Sequence, residues 1–152
     1  MSSTTNLVDQ IKRNYLLHGL SEEEIGQVAE IAVVKDFSGG DQLVRQFAKD
    51  SDLMIILDGF ARIATFSGET IAEAGPGSVI GEMSLVDEKP RSATVISKGP
   101  SKVAMIPSED LWRLMDTQPA IGKTILANIS RILCARLRAA NMQLDLVVSN
   151  KV

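Results

Sequence analysis

Hydrophobic and polar residues alternate along this chain with a helical period at both ends and a strand period between them. The first helical face begins after Ser21 and Glu24, a pair that is typical of a capping box at a helix N-terminus. Its apolar positions are Ile25, Val28, Ala29, Ile31 and Ala32. The pattern therefore predicts an N-terminal helical segment over about residues 1–38, which ends at the Ser-Gly-Gly sequence of residues 38–40.

The middle region, residues 41–107, consists of short apolar runs that are separated by turn sequences. The predicted strands cover residues 53–57, 60–66, 70–74, 93–97 and 102–106. Strands that recur at this spacing are typical of an antiparallel sandwich or barrel. The spacing is interrupted between Gly77 and Arg91, so we expect an insertion between strands there, where rigid scaffolds commonly carry binding sites.

Helical spacing returns after Pro107. Ser108 is expected to cap a short helix that continues to about Asp116. A much longer helix then opens at Thr117-Gln118-Pro119, so the predicted C-terminal helices cover residues 108–148.

Two apolar stripes run along the long helix. One stripe is expected to pack on the strands and consists of Ile121, Ile125, Ile129 and Ile132. The other, which we name the seam, consists of Leu126, Ser130, Leu133, Leu137, Ala140, Leu144 and Val147. Its alternating spacing of four and three is that of a heptad, which predicts a parallel homodimer through this helix. The alternative is one broad apolar face that packs against its own domain.

Composition indicates one small domain over residues 1–152, long enough to bury a sizeable core. No run approaches the ~18 apolar residues of a membrane span, and no signal-peptide pattern follows the N-terminus. The single cysteine, Cys134, is expected to be a small buried hydrophobic residue. We therefore expect a cytoplasmic protein, and the net charge of −3 argues against non-specific nucleic-acid binding.

Few residues could perform catalysis. His18 is the single histidine, so the sequence can assemble neither a histidine-rich metal site nor a catalytic triad. No Walker loop or dinucleotide fingerprint occurs. We expect His18 to be structural or exposed, and Trp112 and Tyr15 to lie in the core or at an interface. The expected function is binding, with no catalytic residue, no metal and no cofactor.

The stretch that is richest in binding chemistry reads Gly-Glu-Met-Ser-Leu-Val-Asp-Glu-Lys-Pro-Arg-Ser-Ala-Thr-Val at residues 81–95. Gly81 permits a close backbone approach, and residues 82–85 can form a helical turn whose free N–H groups attract an anion. Arg91 follows Pro90 and can bind phosphate oxygens through two parallel hydrogen bonds.

Glu82 is out of place beside a bare phosphate, because two anions repel each other. It fits a ligand that also carries a sugar hydroxyl, which can donate a hydrogen bond to the carboxylate. The stretch therefore predicts a ligand with both phosphate and ribose. The candidate binding residues here are Gly81, Glu82, Met83, Ser84, Arg91, Ser92 and Ala93.

Residues 81–94, which we name the cassette, closely resemble the phosphate-binding cassette of the cyclic-nucleotide-binding domain family. The similarity extends from about Tyr15 to Val147, and the last helix resembles the dimer helix of catabolite-activator-type regulators. The resemblance implies an α+β, mainly β fold: an antiparallel, jelly-roll-like β-roll with N-terminal helices and a long C-terminal helix.

The resemblance also implies roles for particular residues. Glu82 is expected to accept the ribose 2′-hydroxyl, and Arg91 to pair with the cyclic phosphate. The purine is expected to meet a polar side chain of the last helix, for which Asn141 is the best candidate. Its amide both donates and accepts, so adenine and guanine both fit. Ser92 could instead favour guanine, and we expect cyclic AMP with cyclic GMP left open.

In the transcription factors of this family a DNA-binding winged helix-turn-helix follows the dimer helix, whereas this chain stops at Val152. We therefore expect no contact with DNA and no membrane attachment. The expected protein is a stand-alone sensor that acts on an unknown downstream protein in trans. The alternatives are an excised sensor domain of a larger regulator and a structural dimerisation module whose cassette binds nothing.

Overall fold

Two four-stranded antiparallel sheets form the centre of the computed structural model, which describes residues 3–65 and 67–149. The strands are β1 Val33–Phe37, β2 Gln42–Val44, β3 Leu53–Asp58, β4 Ala61–Ala64, β5 Thr70–Ala74, β6 Val79–Ile80, β7 Thr94–Ser97 and β8 Ser101–Ile106. Their order is β1-β8-β3-β6 in one sheet and β2-β7-β4-β5 in the other. The predicted antiparallel, jelly-roll-like β-roll is confirmed. Phe66, the last residue of one predicted strand, lies outside the described residues.

Strand β3 is, apart from its last residue, a continuous run of apolar residues without alternating polar positions. Successive side chains of a strand point to opposite faces. Leu53 and Ile55 pack into the core on the helical side, whereas Met54 and Ile56 pack between the two sheets. Both faces of β3 are buried, which is why its sequence is a continuous apolar run.

Three strands were not predicted. The helical segment expected over residues 1–38 ends earlier, because α2 stops at Ile31 and Val33–Phe37 is strand β1. Its first four residues are exposed at the edge of a sheet, so the sequence shows no alternation between buried and exposed positions there. Strands β2 and β6 are only three and two residues long.

Five α-helices occur in the described part of the chain: α1 Ser3–Ile11, α2 Glu22–Ile31, α3 Glu82–Asp87, α4 Ser108–Thr117 and α5 Pro119–Ser149. The capping box of Ser21 and Glu24 at α2 is confirmed. The predicted cap of α4 is wrong, because Pro107 occupies that position. Instead, the Ser108 N–H donates to Asp52 Oδ1 over 3.0 Å, so a carboxylate from the β-roll satisfies this helix end.

The long helix α5 is buried against the body of the domain only in its first half. Ile121, Ile125 and Ile129 are buried as predicted, and Ile132 is half-buried. Buried Asn128 donates to the carbonyls of Leu16 and His18, which fixes the 3-10 turn Tyr15–Leu17 against α5. Beyond Leu133 every residue of α5 through Ser149 is exposed.

Several single-residue expectations can be checked directly. Cys134 is exposed, so the expectation of a buried cysteine is wrong, because α5 has already left the core at that point. His18 is exposed as expected. Trp112 is half-buried against the core, whereas Tyr15 is 45% exposed and is therefore not a core residue. No helix in the described ranges is long and apolar enough to cross a membrane.

Candidate ligand-binding site

A cavity of about 110 Å³ lies where the cassette, the second sheet and α5 meet. It is lined by Val44, Ile63, Val79, Ile80, Gly81, Glu82, Met83, Ser84, Arg91, Ser92, Ala93, Val95 and Arg136. All the candidate binding residues of the cassette therefore share one cavity. Its remaining wall is apolar except for Arg136 of α5, so polar recognition is concentrated on the cassette and on one side chain of the helix.

Gly81 opens helix α3 in a conformation that requires glycine. Its φ is 90°, in the left-handed region that other residues rarely adopt. A Cβ atom at this position would also lie 2.8 Å from the Asp52 carbonyl and would collide with the Arg91 guanidinium. The absence of a side chain at Gly81 is what lets the arginine pass directly beneath the start of α3.

The Arg91 guanidinium is buried, with 3% of the residue exposed, and its orientation is fixed by the protein. Nε and Nη2 donate to Asp50 Oδ2 over 3.2 and 2.8 Å. Nη2 also donates to the Asp52 carbonyl over 2.7 Å, and Nη1 donates to the Gly81 carbonyl over 3.2 Å. Since a guanidinium has five N–H groups, one on Nη1 is left over from these four hydrogen bonds.

Glu82 is equally buried, at 2% exposure, and its partner comes from α5. Glu82 Oε1 forms an ion pair with Nη1 of Arg136. A second nitrogen of the same guanidinium, Nη2, donates to the Val79 carbonyl over 3.4 Å. A buried carboxylate without a partner is costly. The long helix is therefore tied to the cassette at the residue that is expected to bind ribose.

The loop before β3 supports the segment that carries Arg91. The Arg91 N–H donates to the Ala48 carbonyl over 2.8 Å, and the Phe47 N–H donates to the Arg91 carbonyl over 2.9 Å. The Gln46 side chain donates to the Ser92 carbonyl over 3.2 Å. These contacts fix the backbone of Arg91 and Ser92, while the Ser92 side chain remains exposed at the cavity.

The predicted residues differ in how they face the cavity. Ser84 is buried and Ala93 is half-buried, whereas Met83 is 48% exposed. Met83 also borders a second, apolar cavity of about 450 Å³ between α3 and α5. Asn141 is exposed on α5, five residues beyond Arg136, and does not line the cavity of the cassette.

Two residues of the site were missed from the sequence. Asp50 lies in a polar loop, and nothing local indicates that it pairs with an arginine 41 residues away. Arg136 had a usable signal, because it continues the core-facing stripe by one more step of four residues beyond Ile132. A charged residue in that register had to face either the domain or its ligand.

The site is also joined to α4. The Asp52 carbonyl accepts from Arg91, while its carboxylate accepts from the Ser108 N–H. On the other side, Trp112 Nε1 of α4 donates to the Leu85 carbonyl of α3 over 3.2 Å. The described residues contain no cluster of three or more histidine, cysteine or acidic side chains that could hold a metal ion.

The chain is similar to known proteins in both sequence and fold. Residues 34–118 match the family model of the cyclic nucleotide-binding domain, which is more than half of the chain. A cyclic nucleotide-binding domain from Methylobacillus flagellatus superposes with a TM-score of 0.82 at 27% identity, covering 91% of this chain and 82% of that one.

Two relatives are considerably longer than this chain. The cyclic AMP receptor protein of Thermus thermophilus is 30% identical over 141 residues, covering 90% of this chain and 63% of that protein. The crystal structure of a catabolite activator protein from Thermus thermophilus superposes with a TM-score of 0.77 at 30% identity, covering 88% of this chain and 63% of that one. Glutaminase 2 of Bradyrhizobium diazoefficiens is 28% identical over 132 residues, covering 87% of this chain but only 21% of the glutaminase.

Proposed function

Because this chain belongs to the cyclic nucleotide-binding domain family, we propose that it is a sensor that binds a cyclic nucleotide in the cavity beside α3. The observation that carries the proposal is the pair of buried charges, Glu82 and Arg91, on the wall of one cavity. A carboxylate and a guanidinium together complement a ligand that has a hydroxyl donor and an anionic phosphate.

Arg91 binds the phosphate in this proposal. The free N–H on Nη1 is the donor, and the neighbouring N–H groups of the first turn of α3 have no partner within their own helix. Asp50 and the carbonyls of Gly81 and Asp52 hold the guanidinium in place before the ligand arrives. This preorganisation lowers the entropic cost of ordering a long side chain on binding.

Glu82 binds the ribose, and this is where the ligand reaches α5. A ribose hydroxyl that donates to Glu82 must share or replace the Arg136 guanidinium, which is the present partner of that carboxylate. Ligand binding therefore changes the contact between the cassette and α5. The ligand shifts the equilibrium between two arrangements of α5 by as much as its affinities for them differ.

We infer that the preferred ligand is cyclic AMP. The support is the 30% identity to a protein named for its cyclic AMP receptor function, together with the amide of Asn141 as a donor and acceptor for the purine. For Asn141 to contact the base, α5 must move towards the cavity when the nucleotide binds. Cyclic GMP, with Ser92 as its guanine contact, is the competing ligand.

The seam on α5 supports a homodimer as the output element. Leu137 and Leu144 are 62% and 61% exposed, which leaves large apolar side chains in heptad spacing on a helix that projects from the domain. A change in the Glu82–Arg136 contact alters how this helix is held and hence how two seams meet. An unknown downstream protein then recognises the rearranged pair in trans.

A second candidate function follows from the lengths of the relatives. The chain spans about a fifth of the Bradyrhizobium glutaminase and less than two thirds of the Thermus receptor. The same domain therefore occurs as a segment of much larger proteins. In this candidate function the domain senses the nucleotide for an enzyme or regulator of which it is one part, and α5 contacts that part directly.

Thermal unfolding with and without nucleotide tests the proposed binding. A ligand that binds only the folded protein adds about 2.7 kcal/mol of stability at ~100 times its dissociation constant. We expect this rise with cyclic AMP and a smaller one with cyclic GMP. Linear AMP is the matched control, because it has the same base and a ribose but no ring phosphate. No rise over the nucleotide-free protein with any of the three nucleotides would identify a dimerisation module with a non-binding cassette.

A further inference from the structure

Besides the core-facing stripe and the seam, the distal half of α5 carries a further apolar stripe, which we name the second stripe. It consists of Ile132, Ala135, Ala139, Met142 and Leu146, at alternating intervals of three and four. At about 100° per residue, Leu146 lies about 200° around the helix from Leu144 of the seam. Met142 and Leu146 are 68% and 64% exposed, so the distal part of this second stripe is uncovered within a single chain.

The second stripe continues into a groove on the body of the domain. The groove has a volume of about 730 Å³ and lies between α5 and the turn that contains Tyr15. From α5 it is lined by Asn128, Arg131, Ile132, Ala135 and Arg136. Among the described residues that line it, none is acidic. A helix that packs along the second stripe would therefore place one of its ends in this groove, where negative charge is favoured.

The charges of α5 select the occupant. Between residues 119 and 149 the basic residues are Lys123, Arg131, Arg136 and Arg138, and Asp145 is the one acidic residue. The helix is thus basic in its first two thirds and acidic near its end, where the helix dipole also places partial negative charge. Antiparallel pairing brings Asp145 of each helix close to the basic part of the other helix, whereas parallel pairing places Asp145 beside Asp145 and Arg131 beside Arg131.

We propose that the second stripe binds the same stripe of a second copy of this chain in antiparallel orientation. In the register that fits heptad packing, Ala135 of one copy faces Ala139 of the other, and the small side chains permit close approach. Leu146 of the second copy then lies in the groove over Asn128. Asp145 of each copy lies beside Arg131 of the other, which gives two equivalent ion pairs across a two-fold axis.

Disulfide trapping tests the orientation. The experiments use the full chain with Cys134→Ser to remove the native thiol, and with Leu137→Glu and Leu144→Glu to prevent contacts through the seam. Proteins with Ala135→Cys or Ala139→Cys are oxidised alone and as a mixture. The antiparallel register predicts mixed 135–139 dimers in preference to either same-residue dimer. Preferred same-residue dimers would show parallel pairing and overturn the proposal.

A charge exchange tests the ion pair in the same seam-disabled background. Sedimentation velocity should show a dimer that Asp145→Arg or Arg131→Asp weakens by about tenfold, because each change replaces two attractions with two repulsions. The double variant should restore the dimer. Glu30→Arg on α2 is the control for net charge and should leave the dimer intact. A monomer at high micromolar concentration before any charge change, or no rescue in the double variant, would overturn the proposal.

Discussion

Arg91 reaches three separate acceptors through the fork of its guanidinium, namely Asp50, the Gly81 carbonyl and the Asp52 carbonyl. A lysine ammonium donates from one nitrogen and cannot span them. We expect Arg91→Lys to weaken cyclic AMP binding by about 2–3 kcal/mol, because the phosphate loses a charge-assisted hydrogen bond and the acceptors lose their donors. Isothermal titration calorimetry measures the loss.

The control for this change is Arg113→Ala. Arg113 is an exposed arginine on α4 that pairs with Asp110 outside the cavity, so its removal should leave the affinity unchanged. If Arg91→Lys binds the nucleotide as tightly as Arg113→Ala does, the phosphate is bound elsewhere. A circular dichroism melt of each variant separates lost affinity from lost folding.

Glu88 is a strained residue at the end of α3. Its φ is 58° although it is not glycine, and its side chain is exposed. The left-handed conformation costs a non-glycine residue about 1–2 kcal/mol, whereas glycine adds about 0.5–1 kcal/mol of entropy cost. We therefore expect Glu88→Gly to raise the melting temperature by about 1–3 °C. Differential scanning calorimetry checks this, and Glu88→Ala, which keeps the strain, should give no gain.

At the scale of secondary-structure elements, local patterns predicted what local forces determine. The capping box at Ser21, the buried run of β3 and the cassette with its glycine start are all present in the structure. Edge strand β1 was not predicted, because an exposed edge imposes no apolar alternation on the sequence. The contact of Asp52 with the start of α4 and the Arg91–Asp50 pair were not predicted either. The residues of each contact are distant in sequence and meet only after folding.

The contact between α5 and the cassette gives a prediction at this scale. Arg136→Ala removes the partner of buried Glu82, so the nucleotide-free protein should lose about 1–3 kcal/mol of unfolding free energy. A ribose hydroxyl then supplies the missing partner. We therefore expect the stabilisation by cyclic AMP, measured by chemical denaturation, to be larger in this variant than in the wild type.

Arg138→Ala is the matched control, since it removes an exposed arginine two residues further along the same helix. It should change neither the stability without nucleotide nor the gain on binding. If Arg136→Ala behaves like Arg138→Ala, the ion pair does not link ligand binding to α5. The proposed signal would then have to pass through α4, by way of Trp112 and Asp52.

On the scale of the whole molecule, α5 connects the cavity to surfaces that a single chain leaves open. Its first half is part of the core, its middle contacts Glu82 through Arg136, and its last half is exposed. A shift at Arg136 is therefore a shift in the helix that presents both the seam and the second stripe. Ligand binding and assembly are expected to be coupled, so each should alter the other by the same free energy.

The seam and the second stripe predict different disulfide cross-links between two copies of the chain. A parallel seam brings each residue close to the same residue of the other copy. In a Cys134→Ser background we expect Leu137→Cys to form a same-residue disulfide dimer on mild oxidation. Met142→Cys, which lies on the second stripe, is the control and should cross-link to itself poorly. Equal cross-linking at both positions would exclude a parallel seam.

The mass of each charge variant, measured by light scattering, then shows which of the two contacts holds the copies together. Leu137→Glu with Leu144→Glu places like charges across the seam, so we expect the wild-type assembly to fall to the dimer that the second stripe holds. Adding Asp145→Arg should reduce that dimer to a monomer. If the seam variant is already monomeric, the seam alone holds the copies together. If it keeps the wild-type mass, the seam holds none. Repeating each measurement with cyclic AMP tests the coupling, since a ligand that moves α5 must shift at least one of these equilibria.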